Sequence, residues 1–209
     1  MPLFFQQQVN ADTRLAIWKI EEDESFFNAV ILLQRNITHP HKRLQHLAGR
    51  YLLTQLFPQF PLALIQIADT RKPFLENELF HFSISHCGDF AAAIVSAKNR
   101  VGVDIELISD KIQRVQHKFV SDEEKNVVRD AWLVENANEL LTLVWSCKEA
   151  VFKWYGLGNM DFKGHMQVQN IQAGKNKLFQ TTILLKKEDR LLGLQSQFFD
   201  DVCLSYLVT

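Results

Sequence analysis

Cysteine is sparse in this 209-residue chain, and the three present, Cys87, Cys147 and Cys203, are odd in number, far apart and never in a CxxC spacing. That excludes a disulfide framework and a structural zinc site, and it fits a reducing, cytoplasmic setting. Long apolar runs are missing as well: none approaches the roughly 18 to 20 residues needed to cross a bilayer, so no membrane span is expected. The first residues, MPLFFQQQVNADTR, carry no basic segment leading into an apolar one, so a signal peptide is not expected either. No stretch rich in Pro, Gly or Ser separates one part of the chain from another. A dense basic stripe with interleaved aromatics is also absent, which disfavours nucleic-acid binding.

What is present is the composition of an ordinary globular protein, 47% apolar and 22% charged, long enough to bury a substantial core. The net charge of −1 conceals an uneven distribution. Residues 34–74 hold six bases (Arg35, Lys42, Arg43, Arg50, Arg71, Lys72) against the single acid Asp69, while residues 104–149 hold ten acids against six bases. A basic segment beside an acidic one suits a polyanionic ligand held through a cation, although two differently charged solvated faces give the same count.

Periodicity places the elements. Residues 14–20 read as a strand and 25–33 as a short helix. Residues 41–56 read as a longer helix with Leu44, Leu47, Ala48, Tyr51, Leu52 and Gln55 at three-and-four spacing. Strands are expected over 62–68, 79–85, 90–97 and 101–107, with Arg71-Lys72-Pro73 as a loop and Cys87-Gly88-Asp89 as a turn. Ser121 to Glu124 has the spacing of a capping box ahead of Val127 and Val128. A long helix over 138–155 stops at Gly156 and Gly158, and four strands follow over 166–171, 178–185, 191–199 and 202–208. The fold class is therefore α+β, with helices followed by strands in each half.

Two segments could carry chemistry. In GVDIE, residues 102–106, strand alternation puts Asp104 and Glu106 on one face, about 6.6 Å apart, close enough for both carboxylates to reach one hard cation. An edge strand with a polar outer face has the same pattern. In WSCKEAVFK, residues 145–153, Glu149 and Lys153 stack one turn apart on a helix. A surface pair at that spacing stabilises a helix by only about 0.2–0.5 kcal/mol. Here its neighbours are Val144, Trp145, Ala150, Val151, Phe152 and Trp154, the surroundings of a partly desolvated site rather than of a solvated pair.

Taken together, GVDIE and WSCKEAVFK resemble the signature pair of the surfactin-synthetase-type 4′-phosphopantetheinyl transferases, a G-[VI]-D-[IVL]-E strand and a W-[ST]-x-K-E-x-x-x-K helix. Gly102, Asp104, Glu106, Trp145, Ser146, Lys148, Glu149 and Lys153 match its fixed positions. Upstream, FSISHCGDF is similar to the family's F-x-[IL]-S-H-[ST]-G segment, with Cys87 for a hydroxyl residue, and Arg71-Lys72-Pro73 is similar to its G-K-P turn, with Arg71 for Gly. The helix around Arg43 and Arg50 resembles its R-x-x-x-x-A-x-R region. The likeness runs from about residue 35 to 158.

The resemblance implies two similar α+β halves related by a pseudo-twofold axis with a ligand cleft between them. Residues 1–107 would carry the coenzyme A phosphate-binding residues and the metal strand, and 108–209 the WSCKEAVFK helix. It implies transfer of the 4′-phosphopantetheine group of coenzyme A to a serine of an acyl or peptidyl carrier protein, releasing 3′,5′-ADP, by a monomer. Asp104, Glu106 and Glu149 would hold Mg²⁺, for which Mn²⁺ is an equally suitable ion by ligand chemistry. The serine proton would pass to Glu149 or to a metal-bound water, and Lys153 would neutralise charge on the phosphate. Arg43, Lys72, Ser85 and His86 would bind coenzyme A, while Arg50 equally fits a side chain lying over the core. Glu124 is assigned to the capping box and not to the metal. Two rivals remain at this level: an inactive coenzyme A or carrier-protein binding module of the same fold, and an unrelated Mg²⁺-dependent nucleotide or pyrophosphate enzyme.

Overall fold

A computed structural model describes residues 3–32, 36–127 and 137–209. The chain begins with β1 (Leu3–Asn10) and β2 (Thr13–Lys19), an antiparallel hairpin, and continues through the short helix α1 (Glu24–Asn28) into α2 (Pro40–Leu56). A single 3₁₀ turn at Leu62–Leu64 leads to β3 (Ile65–Ile67) and β4 (Pro73–Leu75), and β5 (His81–Cys87), β6 (Phe90–Ser96) and β7 (Val101–Leu107) follow. Then come α3 (Lys111–Val115), α4 (Ala137–Tyr155) and four strands, β8 (Met166–Ala173), β9 (Leu178–Leu185), β10 (Arg190–Phe199) and β11 (Val202–Val208). The chain divides into two compact units, one of residues 1–105 with Thr209 and the other of residues 106–208, so the division falls inside β7.

In the first unit, β1, β2, β6 and β5 form an antiparallel sheet in that order. The turn between β5 and β6 has two residues, with Gly88 at φ 52°, a position where primed hairpin turns need a positive φ. Helix α2 packs on β6, β2 and β5. It starts at Pro40 in the first turn, where the missing N–H costs nothing, and His39 caps it. It ends at Leu56, whose carbonyl accepts from Arg14 Nη1 at 2.7 Å. Its buried face is Gln45, Leu47, Ala48, Gly49, Leu52, Leu53 and Leu56. The expected Gln55 is exposed, and Leu44 and Tyr51 lie at the margin. These residues close a core with Ala16, Trp18, Phe27, Phe82, Ala91, Ala93 and Val95.

The second unit also has a long helix on an antiparallel sheet. Strands β11, β10, β9 and β8 lie side by side and antiparallel, and α4 packs on β11 and β10. The core is built from Leu140, Leu141, Leu143, Val144, Cys147, Ala150, Val151 and Trp154 of the helix against Met166, Val168, Ile183, Leu185, Leu192, Leu194 and Leu207 of the strands.

Most expected elements are found within a residue or two, and the departures have physical reasons. β1 was not expected, because its side chains are all exposed or half-buried and LFFQQQVN carries no core-facing alternation. The strand expected over 62–68 is a 3₁₀ turn followed by three strand residues, bounded by Pro61 and by the tight Arg71 turn. Helix α1 ends at Asn28, so the helix expected over 25–33 is shorter, and residue 33 lies outside the described residues. The capping box before Val127 and Val128 is present, helical structure begins at Glu124, and Val128 lies outside the described residues.

Candidate functional site

The GVDIE strand carries its first acid in the first unit. Asp104 is buried at 2% exposure, and its Oδ1 accepts from Ser85 Oγ at 2.8 Å. Ser83, two residues earlier on the same face of β5, accepts from the Val103 amide at 3.2 Å. Strand alternation thus aligns two hydroxyls of β5 with β7, and one of them fixes the orientation of the Asp104 carboxylate. A buried carboxylate bonded by a hydroxyl is a strong acceptor whose desolvation calls for a partner. Ser85 therefore faces Asp104, whereas His86, next along the strand, points to the opposite face and is exposed. Gln45 of α2 donates to the Gly88 carbonyl at 2.8 Å and holds the turn that follows His86 and Cys87.

The basic residues of this unit differ in their surroundings. Arg43 is engaged within the protein: Nη2 lies 2.6 Å and Nε 2.8 Å from the two Glu24 oxygens, and Nη1 donates to the Ile37 carbonyl at 2.8 Å. The bond from Arg43 holds the Glu24 carboxyl below its usual range. Arg50 Nη1 lies 3.1 Å from His46 Nδ1 on the preceding turn. Lys72 is half-buried, and burial, with a smaller contribution from the Arg100 cation, lowers its pKa to about 8. An ammonium in that setting gains most from an anion. Beside it, Arg71 holds φ 67°, a left-handed conformation natural to glycine, which is why the G-K-P turn favours Gly there.

In the second unit, Glu106 Oε1 accepts from Trp145 Nε1 at 2.9 Å, so the second acid of the strand is oriented by the first residue of WSCKEAVFK. Trp145 is held in turn by Phe119 and Phe162, with ring centroids at 5.2 and 5.3 Å. Glu149 and Lys153 are half-buried, one turn apart on α4. A cavity of about 230 Å³ is lined by Glu106 and Trp145 together with Lys111, Val115 and Thr142.

Lys148 and Glu124 form a feature that the reading of the sequence missed. Lys148 has no exposed surface. Its ammonium donates to the carbonyls of Phe119 (2.6 Å), Met166 (2.9 Å) and Phe162 (3.0 Å) and pairs with Glu124 Oε1 at 2.6 Å. Glu124, also fully buried, accepts from Ser121 N through Oε2 and from Val168 N through Oε1, each at 2.7 Å, while its own amide donates to Ser121 Oγ at 3.2 Å. The capping role expected for Glu124 is present, and the same carboxylate also neutralises Lys148. Burial lowers the Lys148 pKa, and Glu124 opposes that shift. The signal was available in part: Lys148 continues the spacing of Leu141, Val144 and Val151 on the buried stripe of α4.

Among the described residues, no group of three or more His, Cys, Asp or Glu side chains is gathered in a way that could hold a metal ion. Nor, among those residues, is any helix long and apolar enough to cross a membrane.

Comparison with known proteins places this chain. The sequence profile of the 4′-phosphopantetheinyl transferase superfamily matches residues 100–206, which include Asp104, Glu106, Glu149 and Lys153. Enterobactin synthase component D of Salmonella austin is 33% identical over 112 residues, covering 54% of this chain and 47% of its own length. The protein of that name from Escherichia coli K12 is 30% identical over 115 residues, covering 54% of each chain. The 4′-phosphopantetheinyl transferase AcpT of the same strain is 32% identical over 117 residues, 55% of this chain and 59% of its own. The match thus spans about half the length of these curated relatives. Since the profile covers more than half of the residues, the chain belongs to the 4′-phosphopantetheinyl transferase superfamily.

Proposed function

We propose that this chain transfers the 4′-phosphopantetheine group of coenzyme A to a serine hydroxyl of an acyl or peptidyl carrier protein, releasing 3′,5′-ADP. The observation that carries this reading is the oriented acid pair of the GVDIE strand, Asp104 fixed by Ser85 and Glu106 fixed by Trp145, in a chain that also places Glu149 and Lys153 on α4. An acid held by a buried hydroxyl and another held by an indole N–H are oriented for a task, whereas solvated acids on an edge strand need no such partners.

The donor atoms are carboxylate oxygens, the chemistry that Mg²⁺ or Mn²⁺ takes, and a hard cation that keeps waters and shares its shell with phosphates needs no all-protein cage. Asp104, Glu106 and Glu149 would be its ligands. When bound, the ion supplies charge neutralisation on the pyrophosphate of coenzyme A. The protein's own groups do the rest. Lys72 binds a phosphate of coenzyme A, and His86, exposed at the end of β5, donates to another. Ser85 also belongs to the coenzyme A-binding set of this proposal, and its hydroxyl orients Asp104. Arg43 keeps the start of α1 and the start of α2 together through Glu24 and reaches a phosphate with the donor capacity that remains. Glu149 accepts the proton of the carrier serine as its oxygen bonds to phosphorus and the bond to 3′,5′-ADP breaks, and Lys153 neutralises charge on the phosphoryl oxygens.

One long helix on an antiparallel sheet in each unit supports reading them as the two similar halves of the surfactin-type group, and a monomer in the cytoplasm is part of the same proposal. Incubation of the protein with apo carrier proteins, coenzyme A and Mg²⁺, followed by intact-mass measurement of the carrier, tests the proposal. The expected result is a mass gain of one phosphopantetheinyl group that chelation of the metal abolishes. Coenzyme A binding without any mass gain on several carriers identifies a binding module instead. Hydrolysis of the pyrophosphate without transfer identifies an unrelated enzyme.

A further inference from the structure

Lys148 and Glu124 are buried charges that no step of the proposed reaction uses. Replacing a buried ion pair by apolar residues of similar volume is often neutral or stabilising, so stability alone does not account for one. What such a pair adds is direction. The Lys148 ammonium meets carbonyls of three separate segments, at Phe119, Phe162 and Met166, and the Glu124 carboxylate joins them to the Ser121 and Val168 amides. A leucine at 148 would fill the volume but make none of these directed bonds, leaving the rotation of α4 to packing alone.

We propose that the Lys148–Glu124 pair is a positioning device that sets the rotation of α4, and through it the placement of the Glu149 carboxylate and the Lys153 ammonium. This rests on the roles proposed above for Glu149 and Lys153. Glu149 is the next residue after Lys148 on the helix, so anchoring one fixes the direction of the other. A turn of about 20° about the helix axis displaces the Glu149 backbone by about 0.8 Å. A misplacement of about 1 Å is enough to lower a rate on the order of 100-fold. Neither Lys148 nor Glu124 touches substrate in this account.

The test uses the full chain with Lys148→Met and Glu124→Gln combined, which removes both charges together, and with Glu124→Gln alone, which keeps the three carbonyl bonds of Lys148. Melting temperature, amide hydrogen exchange over residues 145–153, and kcat and KM for coenzyme A are measured for each. Both variants are expected to fold with a lowered melting temperature, the drop being larger for Glu124→Gln, which leaves the Lys148 charge buried without its carboxylate. Exchange in the helix segment is expected to rise at least about tenfold, and kcat to fall at least about tenfold with KM changed less than about threefold. A folded variant with wild-type kcat and wild-type exchange overturns the proposal. Should the double variant not fold, Glu124→Gln decides by the same two readouts. Should the wild type itself transfer nothing, the proposed function fails, and the exchange measurement still decides whether the pair fixes α4.

Discussion

Lys72 gives the residue scale its sharpest consequence. Burial and the nearby Arg100 lower its pKa from 10.5 to about 8, so the folded protein releases this proton more readily than the unfolded chain does. The sign follows: the group works against folding below about pH 8, and that penalty is relieved as pH rises from about 8 toward 10.5. Ligand binding runs the other way, because the cation that attracts phosphate disappears over the same range. KM for coenzyme A should therefore rise between pH 7 and pH 9, and Lys72→Ala should raise KM at pH 7 and flatten that dependence. Initial rates across coenzyme A concentrations at several pH values measure it, and equal pH slopes in the two proteins would remove Lys72 from phosphate binding.

Helix α2 and helix α4 each carry a test at the scale of the element. A Cβ at Gly49 would lie 2.6 Å from Ile84 Cγ2, and a β-branched side chain has little freedom to yield. Gly49→Ala should destabilise by about 1–3 kcal/mol despite the better helix propensity of alanine, read as a lower denaturant midpoint. An unchanged midpoint would mean that α2 does not approach β5 so closely. On α4, Thr142 is buried at 2% exposure, and its hydroxyl has no hydrogen-bond partner among the described residues. Thr142→Val should be neutral or stabilise by up to about 1 kcal/mol in the same measurement. A clear loss of stability would mean that the hydroxyl is satisfied in solution.

These two helices also show what the sequence could and could not convey. Their extents were readable because each buries a stripe at helical spacing, and Gly156 at φ 71° ends the second as a C-terminal glycine should. Strands β9 and β10 were readable at period two, as in the alternating burial of Leu178–Leu185. Partnerships between distant residues were not. The Ser121–Glu124 box is local and was legible, whereas Lys148–Glu124 spans 24 positions and depends on how the chain folds back. Likewise Ser85 carries a motif that names it but not its partner, and only the pairing of β5 and β6 ahead of β7 turns it toward Asp104.

At the scale of the whole molecule, the division inside β7 means that GVDIE closes the first unit with Asp104 and opens the second with Glu106. The superfamily match covers residues 100–206, so Arg43, Lys72, Ser85 and His86 lie outside it and rest on the local motifs alone. The claim that joins all of these residues is transfer of phosphopantetheine with Glu149 taking the proton. The mass of one apo carrier protein, incubated with coenzyme A and Mg²⁺ and either the wild type or Glu149→Gln, tests it directly. The account predicts complete conversion by the wild type and at least about 100-fold slower conversion by a variant of unchanged melting temperature. Equal conversion by both proteins would contradict it.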